Sequence, residues 1–553
     1  MHKYIITFLL SLILFSCKDN KVLTDDLYIS SFIVKTGEGE IKCIIDNNKN
    51  TILIPGVSDG AEILQVDYSL PSNISIYPLP EMLINNWDKE ERLLVSGGDE
   101  SKQYFVTLVD FVEKDPNDIE VDAHLYPKET FGRVTTKFFF DIKDGGSVDA
   151  DKAAMFYRDE GMNGIRVPIY GNYKSKDVSS QVVGHTGPGE NEIIGGDYAK
   201  TITSIKNAKN FNPDLIVFAS KKLNGKFSFA SWLKSGNSLN VDLYSEMLLS
   251  YLKYMNKNGI EIDVLGIDNE YNFNEGKITP QVYIQIVDKL KAKITGAGLK
   301  IPLFIGPERY NPEGFTSGKW LTNLFAQDPQ QGRIDIYGTH YYPKHHSYSM
   351  NKNLVTEFNA IASKGMEFWA TEPHWDSNDA AQADMINHSK LAICAMWDQT
   401  DLGMDAFMWW GYPSNTSSLR AALMHDLSNV IYKSQPVRLI DHDGEATLAQ
   451  DASVFNDRLH SRAFIRNGNE INMYFLNIKS LEEVAAGEGQ SYTDYKIKVD
   501  GFIDGDVTFK QWTDESSETG EGVTGVVTKL SDSIISIDLP LRSITRITFK
   551  IKD

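Results

Sequence analysis

The chain has 553 residues, with 55 Lys and Arg against 75 Asp and Glu, a formal net charge of −20. A polyanion-binding protein needs basic patches, so this charge argues against a nucleic-acid partner and is no obstacle to a neutral one such as a sugar. The length exceeds what one hydrophobic core organises and predicts two to four domains.

The amino terminus opens with a positive segment, Met1–Lys3, and an apolar run, Tyr4–Phe15. The run has the length of a signal-peptide core and is too short to span a bilayer. It ends in Leu14-Phe15-Ser16-Cys17, which resembles the lipobox of bacterial lipoproteins. The resemblance implies that residues 1–16 are removed, that Cys17 carries lipid, and that 17–26 is an anchor linker. Lys18-Asp19-Asn20 resembles the export signal of Bacteroidetes surface lipoproteins. The expected location is therefore the outer membrane, anchored by lipid and facing the exterior. No later stretch reaches about 18 uninterrupted apolar residues. Only Cys43 and Cys394 follow Cys17, in segments that read as different domains, so no disulfide framework or Cys-based metal site is expected.

From 27 to 112, short alternating apolar segments (Ile29–Val34, Ile41–Ile45, Ile63–Tyr68, Tyr104–Phe111) are broken by Asn47–Asn50 and Gly97-Gly98. They predict an immunoglobulin-like β-sandwich. A strand at 119–130 is expected to cross over and pair with a carboxy-terminal sandwich. From 131 to 434 the pattern becomes strand–helix alternation. Eight apolar runs, Thr136–Phe140, Ile165–Tyr170, Leu215–Ser220, Val264–Asn269, Leu303–Glu308, Ile336–Tyr342, Glu367–Pro373 and Ala406–Tyr412, alternate with amphipathic segments such as Val241–Asn258, Pro280–Ala297 and Ala380–Thr400. Eight such units predict a (β/α)8 TIM barrel in an α/β fold class. A doubly wound sheet is the alternative, but no Gly-rich phosphate loop follows the first strand, and the Gly-rich Gly184–Gly196 lacks the Lys of one. From 435 to 553 alternation returns, predicting a β-sandwich.

In such a barrel, chemistry sits where strands end. Strand 4 ends in Asp268-Asn269-Glu270 and strand 7 in Thr371-Glu372-Pro373; strand 2 carries Arg166, strand 6 His340 and Tyr342, and strand 8 Trp409 and Trp410. Two carboxylates across one mouth are what glycosidic cleavage needs: one to protonate the leaving oxygen, one to stabilise the oxocarbenium-like centre. Adjacent residues of a strand face opposite ways, so one of Trp409 and Trp410 must be core.

This arrangement resembles clan A of the glycoside hydrolases, and within it glycoside hydrolase family 30. The stretches FASWLKSGNSLN (Phe229–Asn240), RVPI (Arg166–Ile169) and LPLRSITRITF (Leu539–Phe549) carry the likeness. Ser220-Lys221-Lys222 and the Gly-Tyr-Pro after Trp410 depart from it. The resemblance implies a retaining β-glycanase with Glu270 as acid/base and Glu372 as nucleophile. Asn269 would bind the sugar 2-OH, Arg166 would sit beside Glu372, Tyr342 would donate to Glu372, and His340 would line the subsite floor. Trp409 or Trp410 would form the sugar platform, with Trp232 a further platform or a packing residue. No cofactor is implied. No metal is expected either: His340, His345 and His346 lack an accompanying H-E-x-x-H motif, and Asp441-His442-Asp443-Gly444 matches a calcium loop only in part. The expected partner is a carbohydrate, and the chain is expected to act as a monomer. The alternatives are a non-catalytic carbohydrate-binding surface lipoprotein and a clan A hydrolase of another family, such as a xylanase or an algal-galactan hydrolase.

Overall fold

The computed structural model describes residues 27–552 except 38, 56–62, 81–89, 98–99, 110–118, 144–145, 160, 170–194, 222–228, 230–232, 271–277, 311, 330–331, 342–347, 374–382, 410–417 and 444–457. Cys17 with the rest of residues 1–26, Trp232, Tyr342, His345, His346 and Trp410 lie outside the described residues. No helix among the described residues is long and apolar enough to cross a membrane.

Eight parallel strands close into a barrel: β1 (Lys137–Asp141), β2 (Gly164–Ile169), β3 (Ile216–Lys221), β4 (Val264–Gly266), β5 (Leu303–Arg309), β6 (Ile336–Thr339), β7 (Glu367–Ala370) and β8 (Ala406–Trp409). These are the eight runs read from the sequence, each within a few residues. The carboxyl ends of β4, β6, β7 and β8 stop short of expectation, because residues such as Asp268–Glu270 and Thr371–Pro373 have already turned into loops. Inside the barrel, Phe139, Phe218, Val264, Ile305, Ile336, Trp369, Ala406 and Met408 form one sealed cluster. Phe139 lies 5.1 Å from Trp369 and 6.3 Å from Phe218, ring centre to ring centre. This aromatic plug fills the barrel below its mouth, so polar groups above it sit on a dry floor.

The outward residues of the same strands pack against the surrounding helices. The helix Val241–Lys257 is capped by Asn240, whose side chain accepts from the Leu243 N–H, and it buries Tyr244, Met247, Leu248, Tyr251, Leu252 and Met255. The helix Met385–Leu402 is buried on nearly every side. One face meets the barrel and another the carboxy-terminal sheet, where Trp397 approaches Tyr474 and Asp401 accepts from Arg462.

The carboxy-terminal sheet has ten strands. The strand Ala123–Thr130, which precedes the barrel, lies within it: antiparallel to Ser434–Ile440 on one side and parallel to Tyr492–Val499 on the other. The amino-terminal region consists of a three-stranded and a five-stranded sheet. They share a core that includes Phe32, Val34, Ile52, Ile54, Leu93, Val95 and Val106. The strands Thr51–Pro55 and Glu90–Gly97 of the larger sheet were not among the sequence-based expectations.

Candidate active site

Arg166, on β2, is completely buried and organises the mouth of the barrel. Its Nη1 donates to Asp141 Oδ2 at 2.8 Å, to the Thr371 carbonyl at 2.9 Å, and to Glu372 Oε1 at 3.4 Å. Its Nη2 donates to Glu308 Oε1 at 2.5 Å, Asn269 Oδ1 at 2.8 Å and Ser220 Oγ at 3.1 Å. One planar guanidinium thereby ties together residues from β1, β3, β5 and the loops after β4 and β7.

Glu372 has two further cationic neighbours. Lys143 Nζ lies 2.9 Å from Oε1, and His340 Nδ1 lies 2.6 Å from Oε2. The same His340 nitrogen is 3.1 Å from Glu270 Oε1, so one imidazole stands between the two carboxylates. Glu270, Glu372 and His340 each present an atom within 4.8 Å of the other two.

The electrostatics follow from this wiring. Burial opposes ionisation of Glu372, but His340, Lys143 and Arg166 together outweigh it and hold the carboxyl well below the usual range. Burial disfavours a charged His340, yet Glu372 and Glu270 raise its pKa to about 9. Glu308 goes the other way: burial raises its pKa, and Arg166, His340, Lys143 and Ser220 only partly offset that. Glu372 is thus the committed anion of the site, and His340 is cationic at neutral pH.

Of the expected site residues, the structure brings together Glu270, Glu372, Asn269, Arg166 and His340. Of the pair Trp409 and Trp410, Trp409 is a core residue. It lies on the outer face of β8, packed on Phe407, and its Nε1–H donates to Ser428 Oγ of the helix Leu419–Ile431. Side chains alternate along a strand, and Ala406 and Met408 take the inward positions, so Trp409 is core and not a sugar platform. Asp141, Lys143, Ser220 and Glu308 were missed, although the strand-end rule, applied to β1 and β3, points to Asp141 and Ser220.

The Glu270–His340–Glu372 group has metal-ligand spacing, but its residues fit a proton-sharing site better. Lys143 and Arg166 already neutralise Glu372, and His340 Nδ1 is directed at both carboxylates. Asp441, His442 and Asp443 also cluster. There Arg458 and Ser461 engage Asp441, while Tyr495 and Tyr492 take the two His442 nitrogens.

No family model matches this sequence, and no curated protein does. Solved structures do match in fold. A glycoside hydrolase family 30 subfamily 8 xylanase from Clostridium acetobutylicum aligns with TM-score 0.54 and 16% identity, covering 78% of this chain and 99% of its own. The catalytic domain of a family 30 xylanase from Talaromyces cellulolyticus aligns with TM-score 0.51 and 16% identity, over 77% and 99%. A glucosidase from Croceicoccus marinus gives 0.54 and 11%, over 79% and 100%. The chain has the fold of the family 30 glycoside hydrolases.

Measured against that family 30 fold, the Ser220-Lys221-Lys222 departure has a physical consequence. Lys221, at the end of β3, is completely buried and its Nζ has no hydrogen-bond partner among the described residues. It lies 3.4 Å from the centre of the Phe229 ring. Burial lowers its pKa to about 7; Asp268 opposes the shift and Lys143 adds to it. Above the ordinary value of 10.5 the amine is neutral whether the chain is folded or unfolded, and there is no penalty. As pH falls from 10.5 to 7 only the unfolded chain takes up the proton, and the penalty grows to its full size. Lys221→Met is therefore expected to stabilise the protein by about 1–3 kcal/mol at pH 6.5 and by much less near pH 10. Thermal melts at the two pH values check this, and an equal or lower Tm for the variant at pH 6.5 refutes it.

Proposed function

We propose that the chain is a retaining glycoside hydrolase acting on a β-linked glycan, with Glu372 as nucleophile and Glu270 as general acid and base. The observation that carries this reading is the pair of buried carboxylates on opposite sides of one mouth, with oxygens within 4.8 Å of each other. Retention needs the two carboxyl groups about 5–5.5 Å apart, whereas inversion needs about 6.5–9.5 Å to admit a water.

In the first step Glu372 attacks the anomeric carbon as the glycosidic C–O bond breaks, and Glu270 gives its proton to the departing oxygen. In the second, Glu270 takes a proton from water, whose oxygen displaces Glu372 and frees the sugar. The cationic surroundings of Glu372 suit an ionised nucleophile, and His340 lies where it can stabilise both carboxylates as the proton moves. Arg166 donates to Asn269 Oδ1 and so orients the side chain that would reach the sugar 2-OH.

The test is a panel of β-glucans, xylans, mannans and galactans, with the first-formed anomer of the hydrolysed sugar read by proton NMR. The expected product is the β-anomer, appearing before mutarotation. An initial α-anomer would exclude double displacement, and no hydrolysis of any β-glycan would favour a non-catalytic sugar-binding role.

A further inference from the structure

On β5 the alternation of side chains breaks. Pro307 pairs with Gly338 of β6, but Thr339 pairs with Arg309, so Glu308 is an extra residue in the register. Its φ of +48° is in the left-handed region, which non-glycine residues adopt at a cost. A bulge of this kind re-aims a side chain. With Ile305 pointing inward, strict alternation would put Glu308 outside the barrel; the bulge turns it in, fully buried.

The bulge serves its two neighbouring strands through consecutive carbonyls. The Glu308 carbonyl accepts the N–H of Glu270 at 2.7 Å, and the Arg309 carbonyl accepts the N–H of His340 at 2.8 Å. Glu270 also has a left-handed φ, +54°, so its presentation depends on a bond that holds a strained turn. The Glu308 carboxylate meanwhile takes Arg166 on one oxygen and Ser220 Oγ, at 3.0 Å, on the other. The adjacent position on β4 must be glycine for this: a Cβ on Gly266 would fall 2.1 Å from Glu308 Oε2.

We propose that Glu308 is a positioning residue for both catalytic carboxylates, setting the Glu270 turn through its carbonyl and the Arg166–Asn269–Glu372 alignment through its side chain. The inference rests on the roles of Glu270 and Glu372 given above and assigns Glu308 no contact with substrate. The charged and titratable groups facing its carboxylate are Arg166 from β2, Lys143 after β1, His340 after β6, and Tyr283 from the helix Pro280–Gly296. Removing its negative charge leaves Arg166 more fully to Glu372 and weakens the field that favours a cationic His340. Both changes move protonation equilibria toward lower pH.

The test uses Glu308→Gln, which keeps the shape and removes the charge, on a substrate the wild type cleaves. The expected result is a ~10–100-fold fall in kcat/KM from misplaced carboxylates. Both limbs of the pH–rate profile should move acidward by roughly one unit, and Glu308→Asp should return them part of the way. Gly266→Ala keeps the charge and displaces the carboxylate, so it should lower kcat with little change in KM. If Glu308→Gln does not fold, Ser220→Ala, which removes one hydrogen bond to the same carboxylate, should show a smaller shift of the limbs in the same direction. Wild-type kcat/KM in Glu308→Gln, or lost activity with both limbs unmoved, overturns the proposal. Glu372→Ala separates the two readings: if that variant stays active, the assignment of the active site fails, and with it the premise of this inference.

Discussion

Glu372→Ala should lose turnover by on the order of 10⁴-fold or more on every substrate, and added azide should restore it with formation of the α-glycosyl azide. The expectation follows from what surrounds the residue. Lys143, Arg166 and His340 hold Glu372 as an anion in a closed pocket, and the small cavity left by its removal is electropositive. An anionic nucleophile is suited to that cavity and would attack the intact substrate from the face Glu372 had used. Glu270→Ala should behave differently. Substrates with good leaving groups need no protonation to depart, so it should retain part of its activity on them while losing about 10²–10⁴-fold on ordinary glycosides. Azide should then accelerate breakdown of the glycosyl enzyme and give the β-azide. NMR of the azide products decides the assignment. Reversed stereochemistries would exchange the two roles, and full activity in both variants on an established substrate would remove this site from consideration.

Arg166→Met should be the most destabilising single substitution at the mouth, by about 3–5 kcal/mol at pH 8. The variant leaves Asp141, Glu308 and Glu372 buried together, with Lys143 and His340 as the compensating charges among the described residues. Against a total stability of roughly 5–15 kcal/mol that is a large fraction. The sign of its pH dependence is fixed by the same charges. Without Arg166 the folded-state carboxylate pKa values rise, so the deficit is present above those values and shrinks as pH falls through them. In the wild type, His340 acts in the opposite sense. Its folded pKa of about 9 lies above the ordinary 6.5, so its stabilisation is complete below pH 6.5 and disappears as pH rises through 9. Circular-dichroism melts of Arg166→Met at pH 5 and pH 8 should show the larger Tm loss at pH 8. An unchanged Tm at pH 8 would mean that the network contributes nothing to the fold.

Some of this was legible in the residue pattern and some was not, for identifiable reasons. The barrel could be read because each strand is an apolar run of the right length between helix-period segments, and because Asn269-Glu270 and Glu372 fall at the ends of two of them. Trp409 and Trp410 could be separated only by knowing which parity β8 adopts, and that is set by the inward pair Ala406 and Met408. Glu308 was hidden for the opposite reason. Period-two reasoning points it outward, and the register shift that turns it inward leaves no signature in apolar alternation. Lys143 lies two residues past the end of β1, and nothing local in the sequence marks it as the ion-pair partner of a glutamate 229 positions later.

The strand Ala123–Thr130 has a consequence for how the molecule is made. It is synthesised before any barrel strand, yet its neighbour Lys496 lies 374 positions after Asp122, where their side chain and backbone meet. During translation this strand must therefore wait, both edges open, while the whole barrel emerges. A strand with unsatisfied edges is a template for wrong pairing, with another nascent chain or with the amino-terminal sheets. Excising residues 131–434 as a minimal catalytic unit would discard the strand itself. Truncation after 434 would strip it of both partners. In either case the buried helix Met385–Leu402 would lose the sheet that covers it, so the barrel and its carboxy-terminal sheet are expected to fold only together.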